Sequence, residues 1–437
     1  MSSTITDPII LDDTGKQIVA AIDKVTSAIR GSSATVYGFF INGNESDPTA
    51  AVSYTDDAIG MTPAYMDFTN NVFNYGSWED AFFMPRPCML KSDGTVDYYL
   101  NPNDYSKKMD GTASDIANTS YNGNAMMEWG RNGKRIWIKV TPSGDKSAKI
   151  QIADKQVDDG FNDYCFHNCN GVAADHFYTP IYNGSVISSK MRSLSGQQVS
   201  KSLQGTAEIT AAKANNPSTS ELWNIECFAD RLLINALLIL ISKSLDTQSK
   251  FGQGANLGGS EAVNDTFRTG VHNSKGLFYG TNSGAVSSNS FGNCVKIFGM
   301  ENYYGFQWRR TNGLILRSGA VKYKMTYGTE DGSTVTGYNT TGADYKDAGT
   351  GITGTSGGYI SEMKYTADTM VPEVVSGSSS TYFCDGCWFN NSDNRFALCG
   401  GNSYSDAPVG AFYVSLSLVV TAAYWHSGAA LSCKPLA

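Results

Sequence analysis

The chain has 437 residues, only 17% of them charged, and a formal net charge of −8. Glycine (45 residues) and tyrosine (24 residues) are plentiful, and Ser, Thr and Asn fill many segments between the apolar runs. This composition favours a loop-rich and strand-rich protein. Phosphate recognition requires a basic patch, and no cluster of Lys and Arg stands out. We therefore expect no nucleic-acid partner.

Residues 16–30 carry the clearest helical period, which Gly31 ends. The apolar positions at a/d spacing are Ile18, Ile22, Val25 and Ile29. Two heptads are too short to fold alone, so this helix must pack against something. Two interpretations stay open: it packs on its own domain, or it joins subunits in a small symmetric bundle that attaches to a larger body.

No segment of the sequence predicts export or membrane insertion. The first 13 residues are polar and acidic apart from one short apolar run, so we expect no secretory signal. Residues 228–241 form the most apolar stretch, but a bilayer span needs roughly 20 apolar residues, so this stretch predicts a buried helix. Without export, the nine cysteines are expected to be free thiols.

From Ala34 onward, short strand-like runs alternate with clusters of Asn, Asp, Gly and Ser. Residues 35–41 and 135–140 predict strands. Residues 206–214 predict a short helix, and residues 222–244 predict a long helix that is apolar on most faces and therefore central to its domain. Residues 342–358 are close to low complexity and predict a long exposed loop.

Patterns that could carry catalysis or a metal are weak. Ser356 lies in a Gly-x-Ser-x-Gly sequence, but inside a Gly/Thr run rather than between a strand and a helix. Cys384 and Cys387 have metal-ligand spacing, yet a structural zinc site needs a second pair, and Cys165 and Cys169 have an unusual spacing. We expect no enzyme activity, no cofactor and no metal, and buried thiols at these positions.

The C-terminal segment has an unusual composition. Residues 374–433 contain no Lys, Glu, Gln or Met, although about ten would be expected from average usage. Burial alone would explain this poorly, because Asp385, Arg395 and many Asn and Ser remain. Randomising the first two bases of Asn codons also cannot produce Lys, Glu, Gln, Met or Trp. Under that rule, Trp388 and Trp425 are fixed positions.

Several segments of the chain resemble motifs of a known family, and they occur in the same order along the chain. They are Phe298–Trp308, similar to the core segment fG-x-x-N-x-x-G-x-x-W, then Phe383–Phe389, Ala397–Ser403, Gly410–Phe412 and Gly428–Ser432. Together they resemble the retroelement-diversified variable proteins of phages and prophages of gut bacteria. These proteins carry a C-type-lectin-like domain of the kind found in formylglycine-generating enzymes. Ser403 stands where the family's GGSW turn has Trp.

The resemblance implies an α+β, C-type-lectin-like fold with large loop-rich insertions over residues 34–437, preceded by the N-terminal helix of residues 1–33. The variable ligand-binding region would cover about residues 380–433. The enzyme branch of that fold uses a late cysteine pair, and Cys399 and Cys433 lie in no matching motif, so its oxidase chemistry is expected to be absent.

The implied function is that of a phage tail receptor-binding protein. It would lie in the virion tail after synthesis in the bacterial cytoplasm, with a host cell-surface protein or glycan and other tail proteins as partners. It would form a homo-oligomer, with a trimer favoured. Exposed positions of the variable region are the expected ligand contacts: Asn402, Tyr404, Ser405, Asp406, Val409, Tyr413, Ser415, Ser417, Tyr424 and His426.

The scaffold of that region is expected to comprise Trp388, Gly400, Gly401, Gly410, Gly428 and Leu431. Two other functions stay open on the sequence. One is a structural virion or baseplate protein whose C-terminal face contacts other virion proteins. The other is a diversified surface-binding protein of a bacterium.

Overall fold

A computed structural model describes residues 34–435, except 145, 169–170, 218–219, 326–344 and 393. The helix predicted over 16–30 therefore lies outside the described residues. Within them, 36% of the chain is strand and 11% is helix. The helices are α1 (Gly205–Lys213), α2 (Phe228–Ser242), α3 (Thr247–Phe251) and α4 (Glu261–Thr266).

The strands are short. Strands β1–β13 are, in order, Val36–Ile41, Val52–Asp56, Tyr65–Asp67, Val72–Asn74, Arg86–Lys91, Val96–Asn101, Asp104–Lys108, Gly123–Trp129, Trp137–Pro142, Ala148–Ala153, Phe177–Pro180, Ser185–Ile187 and Lys190–Arg192. Strands β14–β27 are, in order, Trp223–Ile225, Lys296–Ile297, Met300–Glu301, Trp308–Arg317, Ala320–Tyr323, Lys346–Thr350, Thr353–Gly354, Tyr359–Tyr365, Met370–Gly377, Cys387–Phe389, Arg395–Cys399, Val414–Leu418, Ser427–Gly428 and Leu431–Cys433.

The expected α+β fold of the C-type-lectin-like kind is wrong, because the described chain is mostly β. The residue pattern does not predict many of these strands, and the reason is physical. A strand that is covered on both faces shows no alternation of polar and apolar residues. Every residue of β8 is buried, including Asn124 and Glu128, so its sequence carries no strand period.

Two seven-stranded sheets dominate the described chain. One has the order β14-β27-β11-β8-β5-β6-β7, so the C-terminal strand β27 lies between segments that are far earlier in the sequence. The other has the order β19-β18-β17-β24-β25-β23, with β26 pairing parallel to β17. A four-stranded sheet, β2-β1-β10-β9, contains both strands that the sequence predicted most clearly.

Helix α2 is the central element of the core. All but one of its 15 residues are buried, as its apolar sequence predicted, and its exception is Asn235. The predicted helix 222–244 is nevertheless too long at its start, because residues 223–225 form strand β14, which pairs with β27. Helix α1 confirms the prediction over 206–214.

Two buried ion pairs tie the C-terminal strand region and β17 to residues at the start of α2. Lys434 Nζ donates to Asp230 Oδ1 at the start of α2, over 2.7 Å. Arg309 of β17 donates to Glu226 Oε1, over 3.2 Å. The long loop predicted at 342–358 is wrong in its described part, where β19 and β20 join two different sheets, although residues 353–356 are exposed as predicted. Among the described residues, no helix is long and apolar enough to cross a membrane.

Candidate functional site

Four aromatic side chains meet at the surface of the C-terminal region, and we call them the aromatic patch: Tyr404, Tyr424, Trp425 and His426. The rings of Tyr424 and His426 stack, with centroids 5.2 Å apart and planes 10° from parallel. Tyr404 contacts both Trp425, at 5.3 Å, and His426, at 5.2 Å. Edge-to-face and stacked contacts of this kind hold rings in defined positions.

The patch is built from two loops. Residues 400–409 supply Tyr404, and residues 419–426 supply the other three rings. Tyr404 is 46% exposed and Tyr424 is 43% exposed, while Trp425 and His426 are half-buried. The patch therefore combines two exposed phenol rings with two rings that support them.

The first loop is fixed to neighbouring segments by hydrogen bonds. Ser403 Oγ donates to Asn264 Oδ1 of α4 over 2.8 Å, and the Asp406 amide donates to the carbonyl of Asn256. Asn402 Oδ1 accepts from the Tyr404 amide over 3.0 Å. These bonds satisfy backbone groups that a loop would otherwise expose to water, and so they hold Tyr404 in place.

The second loop is held from below by a buried charge. Arg310 of β17 donates to the carbonyl oxygen of Ala422 over 3.2 Å, and its guanidinium pairs with Glu208 of α1, with both side chains fully buried. The amide of Ser202 donates to the carbonyl of Tyr424. A loop tied at several points to buried groups can present side chains rigidly.

His426 is neutral at physiological pH. Burial lowers its pKa below the ordinary histidine value. Its Nδ1 lies 3.4 Å from the amide Nδ2 of Asn402, which can donate to a neutral imidazole. The patch thus presents aromatic faces and hydroxyls rather than charge, with Asp406 as an exposed carboxylate beside it.

The structure divides the ten predicted contact residues into two groups. Exposed or half-buried are Tyr404, Ser405, Asp406, Ser417, Tyr424 and His426. Buried are Asn402, Val409, Tyr413 and Ser415. The buried four are at most 4% exposed, so the structure does not place them as direct ligand contacts.

Tyr413 illustrates the buried group. Its ring packs against Trp308 with centroids 4.6 Å apart, and burial raises the pKa of its hydroxyl well above the ordinary tyrosine value. Gly401 makes room for it. A Cβ on Gly401, whose φ is +76°, would lie 2.7 Å from the Tyr413 ring. Glycine at 401 therefore serves the scaffold, as expected.

The sequence predicts that both tryptophans of the region are fixed scaffold positions. The structure places both of them at the surface instead. Trp425 is half-buried within the aromatic patch, and Trp388 is 45% exposed. The signal that could have found them is their neighbourhood: each is flanked by aromatic residues, in Trp388-Phe389 and Tyr424-Trp425-His426. A strand with one buried and one exposed face would alternate such residues with polar ones.

The other candidate patterns take structural places. Ser356 Oγ donates to the carbonyl oxygen of Phe389 over 2.7 Å and accepts from its amide over 2.9 Å, so it braces two segments. The eight cysteines within the described part of the chain are free and buried. In that same part, no group of three or more His, Cys, Asp or Glu is placed to hold a metal ion.

No protein-family model matches the chain, and the comparison with curated proteins finds no relative of it.

Proposed function

We propose that this protein is a phage tail receptor-binding protein whose C-terminal surface is diversified by a retroelement and binds a ligand on the host cell. The ligand would be a host cell-surface protein or glycan. The protein would reside in the virion tail with other tail proteins, as a homo-oligomer. Multivalency would then convert weak single contacts into useful avidity.

One observation carries the proposal. The four most exposed aromatic side chains of the described residues are Tyr65, Trp388, Tyr404 and Tyr424, each between 43% and 46% exposed. Three of the four lie within residues 380–433, the segment whose composition matches codon randomisation. Exposed Tyr and Trp on a braced scaffold are typical of surfaces that bind diverse ligands, because these rings offer large contact area at low entropic cost.

The placement of the patch supports the same function. Tyr404 and Tyr424 lie on loops, where substitutions cost little stability, while the hydrogen bonds that hold the loops come largely from backbone groups and buried side chains. Diversification would change what the surface binds without unfolding the protein. A structural virion protein would gain nothing from this separation.

The first test is genetic. The locus should contain a near-copy of the DNA for residues 374–433 that differs only at adenines, beside a reverse-transcriptase gene. We expect mismatches in the codons of Tyr404, Tyr424 and His426, and none in those of Trp388 and Gly401. If no such copy exists, the diversification proposal fails and the structural virion function becomes the better explanation.

The second test measures binding. Fluorescently labelled full-length protein is applied to whole cells of a panel of gut bacterial strains, and binding is read by flow cytometry. A double variant, Tyr404→Ala with Tyr424→Ala, should bind at least about tenfold more weakly to the strains that the native protein labels. Tyr65→Ala is the matched control, because Tyr65 is equally exposed but lies outside the C-terminal segment. Equal losses for both would contradict the proposal.

A further inference from the structure

Trp388 lies in an edge strand and has an exposed side chain. It lies in β23 between the fully buried Cys387 and the half-buried Phe389, and β23 pairs in parallel with β25. Its indole is nevertheless 45% exposed. Burying such a ring fully would stabilise the fold, so a scaffold role alone does not explain why the ring faces water.

The indole is held rigidly in this exposed position. Gly357 lies directly beneath the ring: a Cβ on it would be 2.7 Å from the indole carbons. The Gly357 amide donates to the carbonyl of Cys387 over 2.8 Å. Ser356 Oγ donates to the carbonyl oxygen of Phe389 and accepts from its amide. The ring is therefore preorganised, so binding a partner would cost it little entropy.

The polar atom of the indole is already satisfied. Trp388 Nε1 donates to the hydroxyl oxygen of Tyr413 over 2.7 Å. Nε1–H is the sole hydrogen-bond donor of a tryptophan side chain, and the ring has no acceptor. The exposed part of the ring therefore offers a partner no hydrogen-bond donor and contacts it through the ring face and edge, unlike the phenols of Tyr404 and Tyr424.

The Trp388 ring is linked to the aromatic patch by side-chain interactions. The hydroxyl of Tyr413 that accepts from Trp388 also interacts with the side chain of Ser405. Ser405 directly follows Tyr404 of the patch. Trp388 is thus connected to the neighbour of Tyr404 through Tyr413.

We infer that Trp388 is the constant anchor of this surface and packs against an apolar side chain of a host-surface protein, while the neighbouring positions determine which protein is bound. The inference rests on the proposed function. Tryptophan cannot arise by randomising the first two bases of an Asn codon, so position 388 would stay unchanged while Tyr404, Tyr424 and His426 vary. Trp and Tyr dominate the binding energy of protein interfaces, and a satisfied, preorganised indole suits that role.

The test uses the full-length protein and the same panel of strains, with Trp388→Ala, Trp388→Phe and the Tyr404/Tyr424 double variant measured side by side. We expect Trp388→Ala to weaken labelling about tenfold or more and Trp388→Phe to restore part of it. Brief protease treatment of the cells should abolish labelling, and periodate oxidation of their glycans should leave it intact. Melting temperatures of all variants are measured in parallel.

Every other outcome contradicts the inference, and each one shows which of its claims is wrong. If the native protein labels no strain, or the double variant labels as well as the native protein, the proposed function fails and the inference falls with it. If the double variant loses binding and Trp388→Ala does not, only the anchor role fails. A large drop in melting temperature for Trp388→Ala, with binding retained per folded molecule, would make Trp388 a residue covered by its own chain. Loss of labelling after periodate alone would replace the protein partner with a glycan.

Discussion

The indole Nε1 of Trp388 donates a 2.7 Å hydrogen bond to the hydroxyl oxygen of Tyr413, and so links an exposed ring to a buried one. Tyr413 in turn packs on Trp308 of β17, at the centre of a seven-stranded sheet. The phenol group of Tyr413 thus links the exposed indole of Trp388 to the core, in addition to the pairing of β23 with β25.

Removing that phenol oxygen should loosen the surface with a small loss of stability. Tyr413→Phe deletes the hydrogen bond from Trp388 and the interaction with Ser405, and a typical intramolecular hydrogen bond contributes about 1 kcal/mol to the free energy of unfolding. Urea unfolding measures this loss, and a red shift of tryptophan fluorescence reports greater hydration of Trp388. Tyr404→Phe is the control, because Tyr404 is largely exposed and should lose under about 0.5 kcal/mol. Equal losses for the two variants would contradict the coupling.

The buried pair of Arg310 and Glu208 should be far more important than a surface pair. Glu208→Ala leaves the Arg310 guanidinium buried without its carboxylate, which typically costs about 3–5 kcal/mol. The loop that carries Tyr424 should also lose its support, because Arg310 donates to Ala422. Chemical denaturation measures the loss.

The control for this prediction is Glu261→Ala. Glu261 pairs with Lys201 over 2.7 Å, but its side chain is 55% exposed. An exposed ion pair contributes at most about 1 kcal/mol. A similar loss for Glu208→Ala and Glu261→Ala would show that burial of the Arg310 pair is not decisive.

Glu301 and Lys296 should give the protein opposite pH dependences on the two sides of neutrality. Burial raises the pKa of Glu301 from 4.5 to about 7, so the folded state retains a proton that the unfolded state loses, and stability falls as pH rises from 4.5 to 7. Burial lowers the pKa of Lys296 from 10.5 to about 7, so stability rises again between pH 7 and 10.5.

The difference in stability between the native protein and Glu301→Gln isolates the contribution of Glu301 to the pH dependence below pH 7. The native protein should lose stability relative to the variant between pH 4.5 and 7, by at most about 3 kcal/mol. Melting temperatures measured across that range test it. A constant difference over the whole range would mean that Glu301 keeps an ordinary pKa in the folded protein.

Gly401→Ala should destabilise the region through contact as well as through backbone strain. Both Gly401 (φ +76°) and Gly276 (φ +66°) have left-handed backbone, which costs a side chain about 1–2 kcal/mol. A Cβ at 276 meets nothing within 4 Å, whereas at 401 it would press on Tyr413 and Val409. Gly401→Ala should therefore lose clearly more stability than Gly276→Ala in parallel thermal melts. Equal losses would assign the whole effect to the backbone.

The sequence by itself determined those features that depend on local pattern. The apolar run of α2 predicted a buried helix whatever surrounds it, and the skewed composition of residues 374–433 marked one segment as unusual. Clean alternation revealed strands such as β9, although the chain as a whole proved more β-rich than its patterns suggested.

Only the tertiary structure decided which residues of the marked segment face solvent. Tyr404 and Tyr413 are both tyrosines in the same loop-rich stretch, yet Tyr404 is exposed and Tyr413 is covered by Trp308, which is more than a hundred positions earlier in the chain. Trp388 follows the fully buried Cys387 in an edge strand, yet its ring is 45% exposed and rests against Gly357, 31 positions earlier in the chain. For these residues, burial depends on distant segments that strand pairing brings together, and the local pattern around each of them does not encode it.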